Sequence, residues 1–121
     1  MKVLVVDDED DIRRIAILSL VGVGGMEVAE ASGGSEGIRR AREDRPDVIL
    51  LDMMMPGMDG LATFRALRDD PETSGIPIVF LTAKAMTAEV DRLKALGASG
   101  VLIKPFDPMA LPGLLRELVD G

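Results

Sequence analysis

The chain of 121 residues contains no cysteine and no histidine. Without cysteine there is neither a disulfide framework nor a thiolate metal site, and without histidine no imidazole is present to ligate a metal or act as a base near neutral pH. Any metal must be held by oxygen, which favours magnesium, calcium or manganese over zinc or copper. Tryptophan and tyrosine are also absent, leaving Phe64, Phe80 and Phe106 as the aromatic side chains. Stacking platforms for nucleobases are therefore missing. The net charge is -7, from 21 acidic and 14 basic residues, and the basic residues are scattered singly or in pairs. Direct nucleic-acid binding is disfavoured on that account. Apolar runs are far too short to span a bilayer, and the N-terminus enters a strand pattern with no cleavable signal, so a soluble cytoplasmic protein is expected. The length suits one domain, residues 1–121, able to bury roughly two thirds of the surface its unfolded form exposes.

What is present is a series of short apolar runs, each ending in a reactive group. Val48-Ile49-Leu50-Leu51 closes on Asp52 and is followed by Met53-Met54-Met55-Pro56-Gly57-Met58-Asp59-Gly60. This reads as a buried strand whose carboxylate emerges where the backbone turns away from the sheet. Val3 to Val6 precedes Asp7-Asp8-Glu9-Asp10-Asp11, and a helix follows with Ile12, Ile15, Ala16 and Ser19 on one face, fading into Gly22, Gly24 and Gly25. Met26 to Ala31 is half polar and suits a sheet edge. Ser32-Gly33-Gly34-Ser35 opens a second helix through Arg42, with Pro46 before the central strand. Leu61, Phe64 and Leu67 recur at helical spacing until Asp69-Asp70-Pro71. Pro77 to Leu81 is the next buried strand, its entry proline tolerated at a first position, and it closes on Thr82. A helix with Val90, Leu93 and Leu96 inward ends at Gly97, and Val101-Leu102-Ile103 is a short strand ending at Lys104-Pro105. Asp107-Pro108 has helix-start character, and Leu111, Leu114, Leu115 and Leu118 form the last apolar face, which Pro112-Gly113 is expected to interrupt early.

Five strands alternating with five helices imply an α/β fold, a doubly wound parallel sheet covered on both faces. The chain stops three residues after Leu118, so no second domain is expected within it. In such a sheet the C-terminal strand ends share one edge, where ligands bind. That edge carries Asp7, Asp8, Asp52, Thr82 and Lys104. Each has an ordinary reading alone, as a helix cap, a turn residue or a surface lysine. Together they form a cluster whose carboxylates repel one another unless they share a proton or cation. Magnesium accepts two carboxylates and a carbonyl while keeping several waters. A carboxylate nucleophile, a hydroxyl and an ammonium are then the parts needed to receive a phosphoryl group.

With the motifs Val5-Val6-Asp7-Asp8-Glu9, Asp52 to Gly60, Leu81-Thr82-Ala83 and Lys104-Pro105-Phe106, the chain resembles the receiver domain of bacterial two-component response regulators, of the chemotaxis-regulator type. The resemblance covers essentially all of the chain. It implies a flavodoxin-like (βα)5 fold with strand order 2-1-3-4-5. It also implies that Asp52 is the phosphoacceptor, fed by a sensor histidine kinase, a phosphotransfer protein or a small donor such as acetyl phosphate. Mg2+ (or Mn2+) would be held by Asp8 directly, by Asp7 mainly through water, and by Asp52 and the backbone carbonyl of Met54. Lys104 would pair with a phosphoryl oxygen, aimed by a cis peptide between Lys104 and Pro105, and Thr82 would move to bond the phosphoryl group. Such a protein is a phosphorylation-activated switch acting on a downstream effector protein rather than an enzyme working on outside substrates.

The chain departs from the family pattern at Val101, where an aromatic residue is usual. A β-branched aliphatic has few rotamers and no hydroxyl, so the aromatic half of the family switch cannot operate in its usual form. The signal is expected to leave instead through backbone movement after Thr82, across residues 83 to 90. Met54 and Lys84 occupy the positions that tune phosphoryl lifetime. Met54 cannot orient an attacking water as an amide could, which predicts slow autodephosphorylation, unless it merely packs as apolar filler. The acidic pair often found on the fifth strand of dimerising regulators is missing, so a monomer or weak dimer is expected. Competing readings are a receiver-like scaffold that works without phosphorylation, an aspartyl phosphatase, and a flavin-binding electron carrier. The phosphatase lacks a second Asp, because Met54 stands in its place. The flavin carrier is disfavoured because Asp7 to Asp11 would repel a flavin phosphate.

Overall fold

The computed structural model describes residues 1–83 and 86–120. Among the described residues the chain forms β1 (Lys2–Val6), α1 (Asp10–Leu18), β2 (Glu27–Ala31), α2 (Gly34–Asp44), β3 (Val48–Asp52), α3 (Gly60–Asp69), β4 (Ile78–Thr82), α4 (Thr87–Ala95), β5 (Gly100–Ile103) and α5 (Leu111–Asp120). A π-helical turn, Ser19–Val23, continues α1. The strands form one sheet in the order β2-β1-β3-β4-β5, with every pairing parallel.

The apolar runs become interior strands because both of their faces are covered. Along β3 and β4 every residue is buried, including the polar last ones, whereas edge strand β2 leaves Glu27 and Glu30 exposed. Side chains alternate across the pleat. Leu4, Val6, Ile49, Leu51, Ile78 and Phe80 face a core that includes Ala41, Phe64, Leu67 and Leu93, from α2, α3 and α4. Val3, Val5, Val48, Leu50, Val79 and Leu81 face Ala16, Leu20, Leu111 and Leu115, on the side of α1 and α5. No helix among the described residues is long and apolar enough to cross a membrane.

Several helix faces differ from the expectation by a single position. Ile15 is 42% exposed, because Ala16 and Leu20 take the stripe facing the sheet and Ile12 only borders it. Leu96 lies beyond the last residue of α4 as its C-cap and is exposed. Leu114 points outward while Leu111 and Leu115 hold the inward stripe of α5. Pro112 does not interrupt α5: it is the second residue of the helix, where a backbone N–H has no intrahelical acceptor to lose. The preceding turn is closed by Asp107, whose side chain accepts the Met109 amide at 2.9 Å and whose carbonyl accepts the amides of Ala110 and Leu111. Pro112 cannot serve the carbonyl of Pro108, and the Ser19 hydroxyl donates to that carbonyl instead. Ser19 in the π-helical turn thereby ties α1 to the start of α5.

Candidate functional site

Parallel register brings the strand ends into one row. Val6 pairs with Ala31 and Leu51, Asp52 with Leu81, and Thr82 with Ile103. Beyond the ladders, the next amides continue the pattern: Asp7 donates to Ala31 at 3.1 Å, Met53 to Leu81 at 2.9 Å and Lys104 to Thr82 at 2.8 Å. Asp7 and Lys104 are thus mounted on the first residue after a strand, Asp8 on the second, and Asp52 and Thr82 on the last. That placement fixes the backbone while leaving the side chain at the edge.

The structure brings Asp7, Asp8 and Asp52 together, with one carboxylate oxygen from each lying within 4.8 Å of the others. Asp7 is fully buried and Asp52 is 2% exposed. Lys104 reaches in from the far side, its Nζ standing 3.0 Å from Asp7 Oδ2, 3.2 Å from Asp52 Oδ1 and 3.3 Å from Glu9 Oε1. Two main-chain amides help: Glu9 donates to Asp7 Oδ1 at 2.9 Å and Met54 to Asp52 Oδ1 at 3.2 Å. These contacts do not match the charge present. Burial, and then the nearby Asp7 carboxylate, push Asp52 up to about 6 against the partial relief given by the Met54 amide and Lys104. Burial alone would lower Lys104, but Asp7 and Asp52 hold it above its ordinary value.

At this site three buried carboxylate oxygens, Asp7 Oδ2, Asp8 Oδ1 and Asp52 Oδ2, have no hydrogen-bond partner, and of these Asp7 Oδ2 has the Lys104 ammonium as an ion-pair partner. A buried anionic oxygen left this way is costly, and a cation supplied at the same place removes the cost. Convergent carboxylates with spare oxygens, and no softer ligand, suit a hard divalent ion such as Mg2+ or Mn2+. The residues therefore fit the metal that the motifs imply.

Thr82 is buried at the end of β4, on the same face of the sheet as Phe80. Val101 pairs with Phe80 and packs, half buried, against the core beneath it. Beside Thr82 lies a cleft of about 350 Å³ lined by Met53, Met54, Thr82, Ala83 and Glu89. Met54 is 77% exposed and is not core filler; that part is taken by Met55, which is buried. Lys84 lies outside the described residues. The Lys104–Pro105 peptide is cis.

Three contributors were not assigned roles from the sequence. Glu9 was visible only as part of an acidic run, and its contact with Lys104 joins loops far apart in the chain. Asp59 caps α3, accepting the Ala62 amide at 2.8 Å, and its placement before an apolar helical run was a usable signal. Gly60 allows α3 to press against the acceptor loop: a Cβ there would lie 2.4 Å from the Asp52 carbonyl oxygen and 2.7 Å from Met53 Cα. Its amide donates to the Met53 carbonyl at 3.0 Å.

Comparison with known proteins agrees with this arrangement. Residues 3–116 match the family model described as response regulator receiver domain. The chain is 41% identical over 115 residues to the DNA-binding response regulator MtrA of Mycolicibacterium smegmatis, covering 95% of this chain and 49% of that protein. It is 42% identical over 119 residues to the response regulator PleD of Caulobacter vibrioides, covering 97% of this chain and 26% of that protein. The chain therefore spans about half the length, or less, of these curated relatives. The chemotaxis protein CheY4 of Vibrio cholerae superposes with a TM-score of 0.89 at 37% identity, with 97% of both chains covered. An acidic edge on a 2-1-3-4-5 sheet and these likenesses have one common explanation: the chain belongs to the response regulator receiver domain family, the phosphorylation-activated switches of two-component signalling.

Proposed function

We propose that Asp52 accepts a phosphoryl group from the phosphohistidine of a sensor kinase or phosphotransfer protein, or from acetyl phosphate. The observation that carries this reading is the position of Asp52: buried, beside two other carboxylates and within 3.2 Å of Lys104 Nζ. With its pKa near 6, the carboxylate is ionised at neutral pH and available as a nucleophile. An Asp52 oxygen forms the new bond to phosphorus as the bond from phosphorus to the imidazole nitrogen breaks, and the imidazole leaves. Asp8, Asp52 and the Met54 carbonyl would hold Mg2+, with Asp7 acting mainly through water. When bound, that ion supplies charge neutralisation and in-line alignment of donor and acceptor, the main terms in phosphoryl transfer.

Once the phosphoryl group is in place, Lys104 exchanges a carboxylate partner for a phosphoryl oxygen, and the Thr82 hydroxyl donates to another. The phosphoryl group carries about two negative charges where the carboxylate carried one, together with three acceptor oxygens, enough to bias a loop with two arrangements. With Val101 in place of an aromatic side chain, the movement leaves through the backbone of residues 83 to 90. Met54 and Lys84 tune the lifetime of the phosphorylated state. The chain assists its own phosphorylation and dephosphorylation but acts on no outside substrate. Residues 1–121 are read as one receiver domain, cytoplasmic, a monomer or weak dimer, passing its signal to an effector protein without contacting nucleic acid itself.

Intact mass after incubation with acetyl phosphate and Mg2+ tests this reading. A gain of one phosphoryl group, lost in Asp52→Asn and in a chelated control, is expected. No gain even with a phosphorylated kinase domain as donor would favour a scaffold that works unphosphorylated.

A further inference from the structure

Arg13 occupies the first turn of α1, with its own amide bonded to the Glu9 carbonyl at 2.9 Å. A cation at this end of a helix meets the positive end of the backbone dipole, so its presence there needs a compensating reason. The side chain is only 14% exposed, and all three guanidinium nitrogens are engaged. Nη2 donates to Asp10 Oδ1 at 2.6 Å, Nε to Glu30 Oε1 on β2 at 2.9 Å, and Nη1 to the backbone carbonyl of Asp7 at 2.8 Å. The last contact lies directly beneath the acidic site.

The Asp7 carbonyl belongs to the peptide plane that joins Asp7 to Asp8. The Asp7 amide still continues the ladder, bonded to Ala31 at 3.1 Å, while its carbonyl accepts from Arg13. A strand-end carbonyl of this kind would otherwise turn to find a partner. A change of ψ at Asp7 that turned this carbonyl would displace Asp8, whose Oδ1 is buried without a hydrogen-bond partner. The fork of Arg13 joins the plane to β2 through Glu30 and to the helix start through Asp10, contacts that oppose such a change. A lysine could make one of these contacts but not three in a fixed geometry.

We propose that Arg13 is a positioning residue for the metal site, holding the Asp7–Asp8 peptide so that the two carboxylates converge before an ion arrives. This rests on the reading of Asp7 and Asp8 as metal ligands. It makes Arg13 a partner of the ligand backbone, supporting the metal from outside its own contacts. It also makes a prediction opposite in sign to simple electrostatics. Removing a cation near a dication should tighten binding by Coulomb's law, whereas removing a positioning contact should weaken it.

The test is calorimetric titration of the unphosphorylated chain with Mg2+ and, separately, Mn2+. Arg13→Gln is expected to weaken binding about tenfold, in the range seen when residues supporting metal ligands are lost. Arg13→Lys should fall between wild type and Arg13→Gln, and Glu30→Gln, which leaves the Asp7 contact in place, should weaken binding about twofold or less. Arg14→Gln, which removes a neighbouring exposed charge, should not weaken binding. Thermal melts of the same proteins separate loss of fold from loss of affinity. Wild-type or tighter affinity in Arg13→Gln would overturn the inference while leaving the site reading intact. Equal weakening by Arg14→Gln would also overturn it. Failure of the wild-type chain to bind either ion would sink the site reading and the inference together.

Discussion

The two halves of the strand-end row are built differently. After β1 and β3, the acids sit on loops fastened from several sides: Arg13 grips the Asp7 carbonyl, Asp59 caps α3, and Gly60 lets that helix abut the Asp52 backbone. α3 itself buries Gly60, Thr63, Phe64 and Leu67. After β4 and β5 the support is thinner. α4, with Met86 as N-cap, has no side-chain cap and buries only Leu93 among its residues; α1 is no better buried, with only Ala16, but Arg13 ties it to β2, and Ile103 at the end of β5 is 52% exposed. Elements with few buried apolar contacts open and shift at low cost. On the proposed reading the acceptor and the metal ligands are held on the fastened half, and the half that carries Thr82 and Lys104 is the one that would move in response.

The largest test of this contrast removes the group that joins the halves. Lys104→Ala is expected to slow phosphorylation of Asp52 by roughly two orders of magnitude, the usual scale for losing one donor to a developing oxyanion. Mg2+ affinity in the same variant should rise, because an ammonium competing for Asp7 and Asp52 is gone. Rate and affinity moving together would argue against Lys104 serving both halves.

A second test compares two glycines. Gly60→Ala forces a Cβ against backbone atoms and is expected to cost about 2–3 kcal/mol, as overpacking does. Gly113→Ala in α5, where a Cβ meets nothing within 4 Å, should stabilise by about 0.5–1 kcal/mol. Chemical denaturation measures both. Equal effects would mean that the acceptor loop is not pressed by α3.

Protonation offers a smaller effect with a definite sign. Asp52 titrates at about 6 in the folded chain against 3.8 for the free side chain, so the folded state binds the proton more tightly. Its contribution makes the metal-free protein more stable as pH falls from about 7 toward 5. Asp52→Asn should flatten that part of the profile, and saturating Mg2+ should do the same. Persistence of the same slope in Asp52→Asn would assign it to another group. Smallest in scale is Met54→Asn, expected to speed loss of the phosphoryl group by placing an amide beside the cleft. A decay rate unchanged or slower would remove Met54 from lifetime control.

Much of this was readable in the sequence because strand and site share one signal. A continuous apolar run ending in Asp7, Asp52, Thr82 or Lys104 gives both a strand and the group at its end. Helix phase was less legible. Ile15, Leu96 and Leu114 are as apolar as their buried neighbours, and only packing decides which neighbour faces the sheet. Pro112 looked like an interruption because its meaning depends on where the helix starts, and that start is set by Asp107 and by the contact of Ser19 with Pro108. Glu9 and Gly60 lay within the receiver motifs but without a role, and Arg13 carried no mark. The partners Glu30 of Arg13 and Lys104 of Glu9 lie on distant segments, and no periodicity within one segment reports such contacts.

The contrast itself is tested most directly by amide hydrogen exchange on the chain with and without a phosphoryl group on Asp52. Phosphorylation is predicted to change protection in α4 and β5, residues 87 to 103, while α1 and α3 exchange as before. A change as large in α1 and α3 as in α4 would show that the acidic half moves too, and would contradict the account.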